Sequence, residues 1–234
     1  MRQIVLDTET TGLEVTQGHR IIEIGALELL ERQPTGQQFH FYLNPEREVE
    51  AGAMEVHGIS NDFLKDKPLF TDIVSEFMDF IDGAELIIHN ASFDLGFLDY
   101  ELSLLDQGYG KVKDNCSILD TLLMAREMRP GQRNSLDALC KFYDIDNTSR
   151  TLHGALLDAQ ILTDVYLAMT GGQTDLGLSI AGQDTEDHHI DIIPAAERGE
   201  VTVIRASAAE LALHKQRLED IEKASDGKCV WSHL

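Results

Sequence analysis

The sequence is poor in cysteine and in positive charge, and it has no long apolar run. Its three cysteines, Cys116, Cys140 and Cys229, are scattered, odd in number and never form a CxxC pair. That argues against a disulfide framework or a thiolate zinc site and fits a reducing cytoplasm. Nowhere do about 18 apolar residues run together, so no membrane span is expected. The opening Met1-Arg2-Gln3-Ile4 enters a strand-like segment at once, with neither the length nor the apolar centre of a secretion signal. Bases are scarce: 19 Lys and Arg face 41 Asp and Glu, a formal net charge of −22. An autonomous, non-specific nucleic-acid binder needs a basic footprint, which this composition lacks. Any affinity for nucleic acid must come from bound metal, a few local contacts or a basic partner.

What is present is 234 residues with 43% hydrophobic content, enough for one sizeable domain and an appendage. The organising stretch is Ile4-Val5-Leu6-Asp7-Thr8-Glu9-Thr10-Thr11-Gly12. An apolar β-branched run that stops at threonines and a glycine reads as a short buried strand ending in a turn. Side chains alternate along a strand, so Asp7 and Glu9 point to the same side. Two like charges beside an apolar core are costly unless offset, and a hard divalent cation such as Mg²⁺ or Mn²⁺ is the usual remedy.

The rest of the first half continues as strands. Arg20–Leu30 and Gln38–Leu43 read as strands, with Gln33-Pro34-Thr35-Gly36 as turn chemistry between them, an antiparallel meander. Helical periodicity covers Phe70–Ile81, through Ile73, Val74, Phe77 and Ile81. Glu85–Asn90 is a second buried-type strand, followed by a helix from near Ser92 to about Leu105. On it Asp94 precedes Phe97 by three and Leu98 by four, which puts it on the inward stripe. A short strand at Ser117–Leu119 leads to Asp120, read as a helix N-cap. Asn134-Ser135-Leu136-Asp137 opens a further capped helix. The last core helix spans about Gly154–Met169, and Asp158 precedes Ile161 and Leu162, so it too points inward. Strands followed by alternating strands and helices imply an α/β fold, a mixed five-stranded sheet flanked by helices.

Four acids, Asp7, Glu9, Asp94 and Asp158, thus converge on a sheet edge. Two Mg²⁺ ions about 3.5–4 Å apart are a known solution for phosphodiester hydrolysis. His153, five residues before Asp158, falls off that helical face and belongs to the preceding loop, within reach of a water as general base. Taken alone, a histidine there fits a cap or surface role equally well.

Together these residues resemble the histidine-using branch of the DEDD family of 3′→5′ exonucleases. Asp7-Thr8-Glu9-Thr10-Thr11-Gly12, His89-Asn90-Ala91-Ser92-Phe93-Asp94 and His153-Gly154-Ala155-Leu156-Leu157-Asp158 look like its three motifs, in order. Val56-His57-Gly58-Ile59, Arg133–Cys140 and Arg150–Gln160 extend the resemblance to the proofreading members that serve bacterial replicative DNA polymerases. It covers residues 2–172 closely and the tail more loosely. It implies a ribonuclease-H-like fold and release of nucleoside 5′-monophosphates from a DNA 3′ end. It implies that Asp7, Glu9, Asp94 and Asp158 hold two Mg²⁺ (or Mn²⁺), and that His153 is the catalytic base. His57 would contact the terminal nucleotide, and Asn90 and Phe93 would shape the pocket, with Asp7, Glu9 and Asp158 also meeting substrate. Family members often carry an acid five residues before the substrate histidine. Here that place is Gly52, with Glu50 and Glu55 as the nearby acids that could replace it. The competing readings are an RNA-trimming relative and a catalytically idle scaffold; intact acids and histidine argue against the second.

After Gly172 the character changes. Residues 173–200 carry seven acids against one base, Arg198, and read as a flexible linker. Its opening, Gln173-Thr174-Asp175-Leu176-Gly177-Leu178, resembles a sliding-clamp-binding peptide, with Gln173, Leu176 and Leu178 as the contacts. Residues 201–234 read as a partner-docking segment, and the resemblance implies that the partner is the polymerase (alpha) subunit. A strand-like Val201–Ile204 leads to a helix from a Ser207 cap to about Lys223, with Leu211, Leu218 and Trp231 as anchors. A small accessory subunit is a further partner that the resemblance admits, in a replisome at the cytoplasmic nucleoid.

Overall fold

The structure, a computed structural model, describes residues 1–105, 107–148, 150, 152–171 and 206–224. Three antiparallel strands come first: β1 (Arg2–Thr10), β2 (Ile21–Leu30) and β3 (Gln33–Tyr42). Two short helices, α1 (Ala51–His57) and α2 (Asn61–Leu64), lead to α3 (Phe70–Ile81). Then come β4 (Glu85–Ile88), α4 (Ala91–Leu104), β5 (Ser117–Asp120), α5 (Thr121–Met128), α6 (Leu136–Tyr143) and α7 (Ala155–Gly171). The sheet order is β3-β2-β1-β4-β5, with β1, β4 and β5 parallel. This is the ribonuclease-H-like mixed sheet that the motifs imply.

β1 is central and apolar on both faces, as a strand covered on two sides must be. Ile4 and Leu6 pack with Ile73, Phe77 and Phe97 of α3 and α4. Val5 points the other way, into Leu139, Ala159, Leu162 and Val165 of α6 and α7. The same alternation carries past the apolar run. Thr8 falls on the α4 face, whereas Asp7 and Glu9 fall on the α7 face. The parallel strands end at one edge of the sheet, where open α/β sheets commonly place their sites.

The β2–β3 turn lies earlier than Gln33-Pro34-Thr35-Gly36. Glu31 and Arg32 make the reversal, both at positive φ (48° and 65°), and Gln33 already pairs with Leu30. Two residues at positive φ form the turn whose twist matches a hairpin. Pro34 is tolerated inside β3 because β3 is an edge strand with one side free of ladder bonds. The expected caps are present: Ser135 accepts from Ala138 N, and Asp120 accepts from Leu122 N and Leu123 N.

The chain divides into two units, residues 1–179 and 180–234. Within the second, α8 (Ala208–Ala224) is described. It starts at a reciprocal cap: Ser207 N donates to Glu210 Oε2 (2.7 Å) and Glu210 N to Ser207 Oγ (3.3 Å). Its Leu211 and Leu213 are exposed. The Gln173–Leu178 peptide, the acidic linker, Val201–Ile204 and Trp231 lie outside the described residues.

One glycine ties the fold to the sheet edge. Gly25 of β2 pairs with Asp7, and a Cβ there would sit 2.2–2.4 Å from backbone atoms of Ala155 and Leu156. Only a residue without Cβ lets the first turn of α7 lie against β2, which carries Asp158 to Asp7. Gly25→Val should therefore cost on the order of 3 kcal/mol or more in chemical denaturation, by overpacking and backbone shift. A variant within about 0.5 kcal/mol of the parent would show that α7 retreats without cost.

Candidate active site

A cavity of about 570 Å³ opens at the ends of the parallel strands. Asp7, Glu9, Asn90, Phe93, Asp94, His153 and Asp158 all line it. Asp94 and Asp158 are buried at 3% exposure each, so the two inward assignments from helical spacing hold. The first turn of α4 carries Asp94, and the first turn of α7 carries Asp158. His153 precedes α7, and its backbone N–H donates to Val56 O at 3.1 Å, which pins its loop to α1.

The four acids are held by different means. Asp94 Oδ1 accepts from Thr8 Oγ1 at 2.7 Å. Asp158 is gripped by the fork of Arg150, with Nε on Oδ1 and Nη2 on Oδ2, both at 2.5 Å. Arg150 Nη1 also donates to Asp137 (2.5 Å), and its Nη2 to His153 Nδ1 (2.9 Å). Because a guanidinium only donates, Nδ1 is the lone-pair nitrogen of His153 here. Asp158 Oδ2 lies 3.2 Å from the same nitrogen. Asp7 and Glu9 have no such clamp among the described residues. Burial, then the charges of Asp94, Glu9 and Asp158, hold the Asp7 carboxyl well above its usual range. Burial and the neighbouring Asp158 and Glu23 push Glu9 to about 8. Burial raises Asp94 to about 7 against the opposing bond from Thr8.

Glu9, His153 and Asp158 can each offer a ligand atom within 4.8 Å of the others. The donor set is carboxylate oxygen and imidazole nitrogen without sulfur, which suits hard divalent cations. The three crowded carboxyls are held toward neutrality in the absence of such charge, and that is the strain a divalent cation relieves.

A second cavity of about 320 Å³ adjoins the first and shares Thr8, Glu9 and Phe93 with it. Gly12, Leu13, Ala53, Val56 and His57 make its walls largely apolar. His57 is buried, and its Nδ1 accepts from Ile59 N at 3.0 Å, so the proton sits on Nε2. That Nε2 makes no well-formed hydrogen bond, although the Thr10 backbone is near enough to be felt electrostatically. Burial, with His153 nearby, pulls the His57 pKa down, which keeps the ring neutral. Gly52 lines this cavity with open space before it, and Glu50 lines it too, whereas Glu55 does not. Thr11 Oγ1 accepts from Arg20 N (3.0 Å) and lies 2.9 Å from His19 Nδ1, and His19 Nε2 faces Glu50 at 3.1 Å. A buried histidine thus fixes the position of Glu50.

Sequence reasoning did not single out Arg150 or Thr8, nor the second task of Asp120. Asp120 accepts from Asn90 N (3.3 Å) and Ala91 N (3.0 Å) besides capping α5. It holds Asn90 at φ 68°, a left-handed conformation that asparagine tolerates, at the entry to α4. An acid ending a neighbouring parallel strand was the available signal for that contact.

The raised carboxyls have a consequence for stability. Between the ordinary glutamate value of 4.5 and about 8, folded Glu9 keeps a proton that the unfolded chain releases. Its contribution in the metal-free protein therefore falls as pH rises through that window. Glu9→Gln, measured in chelator, should gain melting temperature relative to the parent from pH 5 to pH 9. A difference that is flat or reversed over that range would contradict the raised value.

The exonuclease family model RNase_T matches residues 4–166. The DNA polymerase III epsilon subunits of Salmonella typhimurium LT2 and Escherichia coli K12 are 53% and 52% identical to this chain over 236 residues, covering 98% of it and 97% of each of them. The epsilon subunit of Rickettsia felis is 46% identical over 227 residues, covering 96% of this chain and 99% of its own. Among solved structures, exonuclease X in complex with 5′-overhanging duplex DNA superposes with a TM-score of 0.54 at 26% identity, covering 73% of this chain and 94% of that one. Exonuclease I shares the fold, with a TM-score of 0.61 at 16% identity over 73% of this chain and 41% of that one. With its acids, its histidine and its sheet in this arrangement, the chain belongs to the DNA polymerase III epsilon-subunit family of exonucleases.

Proposed function

We propose that this site hydrolyses the last phosphodiester of a DNA 3′ end, releasing nucleoside 5′-monophosphates as the proofreading activity of a replicative polymerase. The observation that carries the reading is the meeting of four carboxylates and His153 in one cavity. Asp7, Glu9, Asp94 and Asp158 would hold two Mg²⁺ or Mn²⁺ ions. When bound, such ions neutralise charge on the phosphate oxygens and lower the pKa of water.

The chain's own residues do the rest. His153 accepts the proton of the attacking water at Nδ1, the nitrogen turned toward the acids. Arg150 covers that atom and both oxygens of Asp158, so it must yield at least one Asp158 oxygen as the site loads. Asp137, whose side chain is 63% exposed, is the partner Arg150 retains. The smaller, mostly apolar cavity receives the terminal nucleoside against Phe93 and Leu13, with His57 in contact from its wall. Glu50, held by His19, supplies the carboxylate that Gly52 lacks.

The polymerase subunit would dock on residues 201–234. In α8 the exposed Leu211 and the partly exposed Leu218 support that assignment, because a helix this short cannot bury its apolar residues alone. Gln173, Leu176 and Leu178 would meet the sliding clamp weakly, with tethering beside the polymerase raising the effective concentration. The protein would work in the cytoplasm at the replicating nucleoid; among the described residues no helix is long and apolar enough to cross a membrane.

Incubation with 3′-labelled single-stranded DNA and Mg²⁺ should release labelled mononucleotides, and Glu9→Gln should abolish the release. Faster release from RNA of matched sequence would favour the RNA-trimming alternative. His153→Ala should cut turnover about 10²–10⁴-fold, the usual worth of a general base, while Mg²⁺ binding by calorimetry stays near the parent's. A collapse of metal affinity would make His153 a ligand instead.

Truncation after Gly172 should leave single-strand nuclease activity and end co-purification with the polymerase subunit. A truncated chain that still co-elutes would move the contact onto the nuclease domain.

A further inference from the structure

The larger cavity has a half that the chemistry above does not use. Opposite the acids, its wall is built by α5 and the loop before α6, from Leu122, Arg126, Gln132, Asn134 and Ser135. Two arginines line the cavity among the described residues. Arg150 is committed to Asp158, Asp137 and His153. Arg126 is exposed on α5 and makes no hydrogen bond, ion pair or ring contact with any described residue. Asn134 is spent on the loop itself, donating to Arg129 O and Gln132 O, whereas the Gln132 carboxamide has no hydrogen bond among the described residues. His89 beside Arg126 adds no charge, since its burial lowers its pKa.

A free cation is unusual company here. In a chain of net charge −22, an arginine that lines an acid-lined cavity and has no acidic partner among the described residues is available to a ligand. Its position relative to the second cavity points to one. That cavity has room for about one nucleoside and meets the larger one at Glu9 and Phe93. With the terminal nucleoside there and the scissile phosphate at the acids, the preceding nucleotide has to lie in the larger cavity, along the α5 wall.

We infer that Arg126 is a strand-positioning residue that binds the phosphodiester one nucleotide upstream of the scissile bond, with Gln132 beside it for the adjoining sugar or base. This rests on the exonuclease reading. It gives a strongly acidic protein a local contact for a polyanion where the strand leaves the acids. Guanidinium suits this role because its fork matches phosphate oxygens and its charge persists at every working pH.

The test uses the full-length protein and two substrates. One is a 3′-labelled single-stranded DNA decamer. The other is the p-nitrophenyl ester of thymidine 5′-monophosphate, which has a scissile phosphodiester and no upstream nucleotide. For Arg126→Ala, KM on the decamer should rise roughly tenfold at low salt, the worth of one charged hydrogen-bonding contact, with kcat within about twofold. The slope of log(kcat/KM) against log[salt] should become shallower by about 0.7, the value for one phosphate on a single strand. Arg126→Lys should restore the salt slope and part of KM, and ester hydrolysis should not distinguish the variants. Unchanged decamer kinetics in Arg126→Ala with normal ester turnover would overturn the assignment and leave the exonuclease reading standing. Equal losses on both substrates would also overturn it, by showing that Arg126 supports the acids. A parent that releases nucleotide from neither substrate would overturn the exonuclease reading and this one together.

Discussion

Everything at the sheet edge depends on four carboxylates being pressed together, with Arg150 bound to one of them. Burial first, and the repulsion of neighbouring carboxylates at Asp7 and Glu9 second, hold the carboxyls of Asp7, Glu9 and Asp94 toward the neutral form. Asp158 is the one relieved by a direct cation, through both of its oxygens. The energy is stored where a divalent cation would release it. The same repulsion would favour unfolding if the strand and helices behind it were less tightly packed.

The scaffold behind the acids is correspondingly dry. Ile4, Val5 and Leu6 have no exposure, and each face of β1 meets its own helix layer. A strand fixed on both faces cannot slip, because a one-residue shift would turn Asp7 and Glu9 into the α4 layer and Thr8 into the α7 layer. Gly25 and the Asp120 cap extend that precision to the helix ends. The first admits the backbone of α7, and the second holds the start of α4. Rigid strands and capped helix starts are what a catalytic constellation needs to keep its geometry.

Charge separates two tasks in this protein. The net −22 keeps a polyanion from adhering at large, since counterion release needs clustered cations. With so few bases, the local cations at the cavity are where a polyanion would find its contacts. This fits an enzyme that is brought to its substrate by a partner, as the epsilon-subunit membership implies, and that should not bind strands elsewhere.

Much of this was legible in the sequence. Period-two alternation set Asp7 and Glu9 on one side of β1. Helical spacing put Asp94 and Asp158 on inward stripes, and turn chemistry found the caps at Asp120 and Ser135. Local periodicity fixes those facts because it is a property of one element at a time. Two things escaped it locally: the hairpin reversal at Glu31-Arg32, where neither residue is a usual positive-φ former, and the strand assignment of Pro34, which depends on β3 being an edge. The rest needed elements distant in sequence to meet. Arg150 is eight residues from Asp158, a spacing without meaning until the loop folds back over the first turn of α7. Glu50 is held at the wall of the smaller cavity by the buried His19, and Arg126 stands out because, among the described residues, no acid pairs with it. The sequence by itself determined which residue types carry the chemistry and on which face of their own element each lies. Tertiary structure alone decided the partners, because a pairing of charges is set by distance through space, which no local period encodes.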